Sequence, residues 1–146
     1  MSEKKIALVT GASRGIGRAI AEQLVDDGFF VIGTATTENG AAAIGDALGA
    51  NGVGKVLNVT DKESVASTIK SINEEFGAPL VLVNNAGITR DNIMLRMKDD
   101  EWEDVINTNL NSLYRVSKAC LKGMTKARWG RIINISSVVG TMGNAG

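Results

Sequence analysis

The 146-residue sequence has no histidine, one cysteine (Cys120) and one proline (Pro79). Without histidine, imidazole is excluded as a general base and as a metal ligand. A single cysteine forms neither an internal disulfide nor a thiolate zinc site. No sign of charge predominates: Lys and Arg total 16, and so do Asp and Glu. That balance leaves no long-range field to gather nucleic acid or anionic membrane, so a charged partner must be met by a local patch. Long apolar runs are also missing. The opening "MSEKK" is followed only by "IALV" before "TGAS", too short for a signal peptide or a membrane span. These absences lead us to expect a cytoplasmic protein with no nucleic-acid and no membrane partner.

What remains is globular in character. Hydrophobic residues make up 44% and charged residues 22%, and the length suits a single domain over 1–146. Apolar, β-rich runs at 5–10, 29–35, 53–59, 80–84 and 131–136 read as strands. Most are continuously apolar, as in a parallel sheet covered on both faces. Between them, 15–27, 39–49, 61–76 and 99–127 read as helices. Ile16, Ala19, Ile20, Gln23 and Leu24 form the expected stripe of the first helix. The third has a capping signal, from Thr60 with Glu63 or from Asp61 with Ser64. The fourth places acids at its start and lysines near its end, as the helix dipole favours. Its expected stripe is Trp102, Val105, Ile106, Leu110, Leu113 and Cys120, with Asn109 inside it. Five strands alternating with helices predict an α/β fold, a Rossmann-type doubly wound parallel sheet. No helix follows the fifth strand, so the expectation is a fold incomplete at its carboxyl end.

The first strand runs into "TGASRGIG" (10–17). A tight turn there needs Gly11, close approach of a pyrophosphate needs Gly15, and close helix packing favours Gly17. The following helix would direct free N–H groups at the phosphates. A cofactor with a free ribose 2′-hydroxyl usually meets an acid at the end of the second strand. Here Ala35, Thr36 and Thr37 stand at that point, and Glu38 fits better as the start of the next helix. Arg14 and the threonine hydroxyls could instead bind a 2′-phosphate, which favours NADPH over NADH.

"TGASRGIG", "NNAG" (84–87) and "NISS" (134–137) together resemble the classical short-chain dehydrogenase/reductase family, in order and spacing over the whole chain. "NNAGITRDNIMLRMKDDEW" and "GRIINISSVVGTMGNAG" resemble the branch that reduces 3-oxoacyl chains on acyl carrier protein in type II fatty-acid synthesis. The resemblance implies that Gly11, Ser13, Arg14, Gly15 and Ile16 line the pyrophosphate and that Thr36 and Thr37 face the adenosine phosphate. Asn58 and Val59 take the place of the family's Asp-Val pair at the adenine. Asn84, Ala86 and Gly87 would pass beside the ribose, in a turn that asparagine side chains also brace. Burying the Asn109 amide costs about 1–3 kcal/mol unless it is hydrogen-bonded. Its partner would be a neighbouring backbone group or, as the family implies, a water of a proton relay. Ser137 matches the catalytic serine, whose hydroxyl would bond the substrate carbonyl and the oxyanion forming on it; Ser136 should point elsewhere.

The family's proton donor is a tyrosine followed one helical turn later by a lysine, beyond the serine in sequence. The only tyrosine, Tyr114 with Lys118, has that spacing but precedes Ser137, so it reads as a packing or interface residue. The resemblance also implies a homotetramer pairing the long helices, and a basic patch for acyl carrier protein centred on Arg128, with Lys122, Lys126 and Arg131 beside Trp129. Residues 1–146 alone should then show no turnover of an acetoacetyl thioester above background, and a measurable rate would refute this.

Overall fold

The computed structural model describes residues 4–86 and 98–135. In chain order these form β1 (Ile6–Val9), α1 (Gly15–Asp26), β2 (Phe30–Ala35), α2 (Glu38–Leu48), a short 3-10 turn (Gly49–Asn51), β3 (Gly52–Val56), α3 (Lys62–Glu75), β4 (Val81–Asn84), α4 (Asp99–Ala127) and β5 (Arg131–Asn134). All four strand pairings are parallel, in the order β3-β2-β1-β4-β5. This is the Rossmann-type α/β sheet that the alternation of apolar runs and helical patterns predicts.

The continuous apolar runs fill two cores because successive strand residues face opposite sides. On one side Leu8, Ile32 and Leu82 pack with Val65, Ile69 and Ile72 of α3 and Val116, Cys120 and Met124 of α4. On the other, Ala7, Val9, Val31, Val81 and Val83 pack with Ala21 of α1 and Ile44 and Leu48 of α2. The two central strands are buried at nearly every position. β5 differs, since Ile132 and Ile133 are exposed.

Two helical stripes are rotated from their expected positions. On α1 the residues turned inward are Gly17 and Ala21, with Ile20, Leu24 and Val25 partly buried, while Ile16 is 62% exposed. Only the small residues can approach the sheet this closely, so size overrides hydropathy. On α4 the buried row is Ser112, Val116, Cys120 and Met124, at four-residue spacing. Trp102, Ile106, Leu110, Tyr114 and Leu121 are exposed. The first four are two residues out of phase with the buried row, about 200° around the helix. Asn109, half-buried, is two turns before Val116 and therefore on the sheet-facing side, outside the exposed apolar row. Cys120 is a packing residue, and burial pushes its thiol up to about 12.

Caps settle the helix starts. Asp61 caps α3, accepting from the N–H groups of Glu63 and Ser64. Of the two expected signals it is therefore Asp61 with Ser64 that forms the cap. Thr60 is bonded to the Asn58 side chain instead. The edge strand β3 is fastened to α3 by Lys55, whose ammonium lies 2.7 Å from Glu75. That bond and another from Ser71 hold the Glu75 carboxyl below its ordinary value.

Leu82 lies at the centre of the α3–α4 core, with none of its surface exposed. Leu82→Ala should lower unfolding free energy by about 2–5 kcal/mol, read by denaturant titration. A loss below about 1 kcal/mol would contradict this packing.

Candidate functional site

The chain reverses side between β3 and β4: β2 and β3 lie on one flank of β1, β4 and β5 on the other. Such a switch point opens a crevice at the carboxyl ends of the two central strands. Thr10, immediately after β1, is buried there. Its Oγ1 accepts from the backbone N–H groups of Asn85 and Ala86, each at 3.0 Å. The same hydroxyl donates to the Val83 carbonyl at 3.4 Å. Asn85 donates its side-chain amide to the Gly11 carbonyl at 3.0 Å, and Ala12 N–H donates to the Thr34 carbonyl of β2 at 2.9 Å. Four bonds from two polar residues thus join the glycine-rich turn to β4 and the segment after it. The motifs alone point to neither Thr10 nor Asn85; the signals for them are a threonine ending an apolar strand and a doubled asparagine.

The glycines follow the same geometry. Gly11 has φ +64, and a Cβ there would lie 3.2 Å from the Ala86 Cα. A Cβ on Gly17 would overlap the Gly11 carbonyl oxygen and lie 2.6 Å from the Asn85 amide nitrogen. Gly17 therefore packs α1 against the turn itself. By contrast, nothing lies within 4 Å of a Cβ at Gly15, where φ is +61. The start of α1 is left with no side-chain cap, Arg14 holding the N-cap position in extended conformation. Uncapped N–H groups beside open space at Gly15 suit a pyrophosphate, and the exposed Ile16 borders them.

The turn also adjoins the start of α2. A Cβ on Gly40 would be 3.8 Å from the Ser13 Cβ and 3.2 Å from the Thr37 hydroxyl oxygen. Thr37 caps α2 by accepting from Gly40 N–H at 3.0 Å, so the hydroxyl's acceptor role is partly used locally while its hydrogen can still be donated. Glu38 begins α2. Arg14, Thr36 and Thr37 are exposed. After β3, exposed Asn58 accepts from Thr60 N–H and hydroxyl, whereas Val59 is buried in the α3–α4 core.

Asn84 is 5% exposed. Its amide donates to the Asn134 side-chain oxygen at 2.9 Å and to the Ser117 hydroxyl at 3.3 Å, so the bracing asparagines expected from "NNAG" are present. Ala86 joins the turn through its N–H; Gly87 and Ser137 lie outside the described residues. Tyr114 is exposed on α4 and accepts from Lys118 at 3.2 Å, facing away from the core rather than packing in it.

This geometry is matched by a comparison of sequence. Residues 5–146 match the family described as short chain dehydrogenase. The chain belongs to that family. It is 71% identical over 144 residues to 3-oxoacyl-[acyl-carrier-protein] reductase of Vibrio harveyi, covering 99% of this chain. It is 68% identical to the enzyme of that name from Pseudomonas aeruginosa, covering 97% of this chain. With the Escherichia coli K12 protein it shares 66% identity, again over 99% of this chain. The chain spans 59% of the length of each of these relatives.

At the opposite end of this short-chain dehydrogenase's sheet, α4 stops at Arg128, which adopts the left-handed conformation with φ 56 and is exposed. The adjoining Trp129 ring has the Arg131 guanidinium 4.8 Å and the Lys5 ammonium 5.0 Å from its centroid. Lys5, from the start of the chain, joins the patch only through the pairing of strands and could not be read from "KARWGR".

Thr10→Val retains the shape of the hub but removes both acceptor bonds. Removing the acceptor of two half-buried N–H groups should cost about 1 kcal/mol or more in all, while Thr10→Ser preserves stability to within about 1 kcal/mol. Equal unfolding free energies for the valine variant and the parent would disprove the hub.

Proposed function

We propose that the protein to which these residues belong reduces 3-oxoacyl chains carried on acyl carrier protein to 3-hydroxyacyl chains, using NADPH. The observation that carries this reading is the 71% identity to a reductase of that name across nearly the whole chain. The carboxyl-edge crevice supports it. Gly11, Ser13, Arg14, Gly15, Ile16 and Gly17 would receive the pyrophosphate, with the backbone at Asn84, Ala86 and Gly87 along the ribose and Asn58 with Val59 at the adenine. The end of β2 offers Ala35, Thr36 and Thr37 in place of a carboxylate. Arg14 and the two hydroxyls would therefore bind a 2′-phosphate, which is the basis for NADPH.

When bound, the nicotinamide supplies hydride to the ketone carbon. The chain's own residues act on the oxygen. The Ser137 hydroxyl donates to the carbonyl, and that bond strengthens as negative charge develops. Asn109, on the sheet-facing side of α4, holds a water through which the proton that neutralises the alkoxide is replenished. The proton itself comes from the family's tyrosine–lysine pair, which Tyr114 and Lys118 do not supply. The remaining expectations, a cytoplasmic homotetramer built on the long helix and a single domain, belong to the same reading.

Arg128, with Lys5, Lys122, Lys126 and Arg131 around it, would meet the acidic carrier protein. An Arg or a Glu at this position pays the same left-handed backbone cost, so charge reversal isolates the electrostatic role. In the full-length protein, Arg128→Glu should raise KM for acetoacetyl-acyl carrier protein roughly tenfold while leaving acetoacetyl-coenzyme A unaffected. Equal loss on both substrates would sink the docking role. The reaction itself is tested by NADPH oxidation with the carrier-bound substrate, where NADPH should surpass NADH by roughly tenfold or more in kcat/KM. Binding of NADPH without turnover would establish a dinucleotide-binding protein instead.

A further inference from the structure

Trp129 follows the left-handed end of α4, and its backbone N–H donates to the Met124 carbonyl at 3.1 Å. The half-buried indole packs against the α1–α2 core, so packing sets its place. Two exposed cations lie against that ring: the Arg131 guanidinium 4.8 Å and the Lys5 ammonium 5.0 Å from its centroid. They come from strands that are not neighbours. Ala7 of β1 and Arg131 of β5 both pair with Val81 of β4, which puts the two outer strands about 10 Å apart. Like charges brought this close repel, and a carboxylate between them would be the ordinary remedy. Among the described residues the ion pairs are Arg18–Glu22 and Lys55–Glu75, so Lys5, Arg128 and Arg131 have no carboxylate partner there. The negative face of the indole attracts both cations instead. One Arg131 N–H goes to the Gly130 carbonyl at 2.7 Å, and the guanidinium has further donors for an incoming carboxylate.

We propose that Trp129 is a positioning residue for partner docking: its ring holds Lys5 and Arg131 beside Arg128 as one cationic surface for the carboxylates of the carrier protein. This rests on the docking reading above and adds to it a residue that bears no charge. Lysine and arginine side chains moving freely in solvent must be ordered when a partner binds, and that ordering weakens the complex. Cations already resting on the indole have lost much of this freedom beforehand. They meet the partner with little further ordering, so the ring acts on affinity through them.

The test compares, in the full-length protein, kcat/KM for acetoacetyl-acyl carrier protein with that for acetoacetyl-N-acetylcysteamine, an uncharged thioester with no carrier to dock. Trp129→Leu should lower the ratio of the two roughly fivefold, through KM for the carrier-bound substrate. Trp129→Phe keeps an aromatic face and should stay within about twofold of the parent. Lys5→Gln with Arg131→Gln should lower the ratio roughly tenfold. Adding Trp129→Leu to that pair should change it by less than about twofold, because the ring acts through the two cations. A ratio unmoved by Trp129→Leu overturns the positioning role. So does a full further loss on top of the paired glutamines, which would show the indole itself touching the carrier protein. Equal losses on both substrates, or a phenylalanine variant as impaired as the leucine one, overturn it in favour of a packing role. A parent that reduces the uncharged thioester but gains nothing from the carrier overturns the docking reading and this role together. A parent that oxidises no NADPH with either substrate overturns the reductase reading, and this role with it.

Discussion

The hydroxyl of Thr10 stands where β1 and β4 cease to be a sheet and begin to diverge, and it takes over the work of the ladder at that point. Two N–H groups that have left the regular strand pairing bond to it, and its own hydrogen goes to the carbonyl of Val83. A parallel sheet fans open at a switch point, and half-buried backbone groups there would otherwise lose their protein partners. One small side chain satisfies them and ties the end of β1 to the segment after β4. The closeness of Gly11 to Ala86, and of Gly17 to the Gly11 carbonyl, follows from that setting. Had a larger residue occupied either glycine position, the turn would have been pushed off Asn85 and the start of α1 turned away from the crevice.

The same strands serve two cores whose demands differ. On the α1–α2 side the packing is dominated by alanine and valine, which brings the turn and the first helix close to the sheet. On the α3–α4 side leucine, isoleucine and valine predominate, with Cys120 and Met124. Asn84, bonded to Ser117 of α4 and to exposed Asn134, belongs to that side, where the apolar layer gives way to the crevice. Asn84 is buried while Asn134 is exposed, so the pair joins the interior of the sheet to its surface. Packing and site geometry are therefore continuous along β4: Leu82 anchors the strand, and two residues later Asn84 spreads that order to β5 and α4.

Much of this was legible in the residues. Strand positions, helix limits within a residue or two and the glycine turn all follow from local pattern, because parallel strands buried on both faces leave continuous apolar runs. The helix faces were less legible. Hydropathy favoured Ile16 over Gly17 on α1 and Trp102, Ile106 and Leu110 over Ser112 and Val116 on α4. In both helices the surface turned to the sheet is chosen by fit and by what lies opposite, and a long helix carrying apolar residues on two sides has no single stripe to read. Thr10, Asn85 and Lys5 were hidden for another reason. Their partners are more than 70 residues away in sequence, or, for Lys5 and Trp129, near opposite ends of the chain, so only the strand order brings them together.

The left-handed end of α4 has a consequence for engineering. Helices commonly end in glycine in this conformation, because any other residue bears a steric penalty. Arg128 therefore holds a place where glycine would make the fold more stable by about 1 kcal/mol. Selection for heat resistance alone would favour that exchange, and would remove an exposed cation while leaving Arg131 and Lys5 on the Trp129 ring. A sequence selected only for thermal endurance should therefore lose its arginine here before any residue of the core changes.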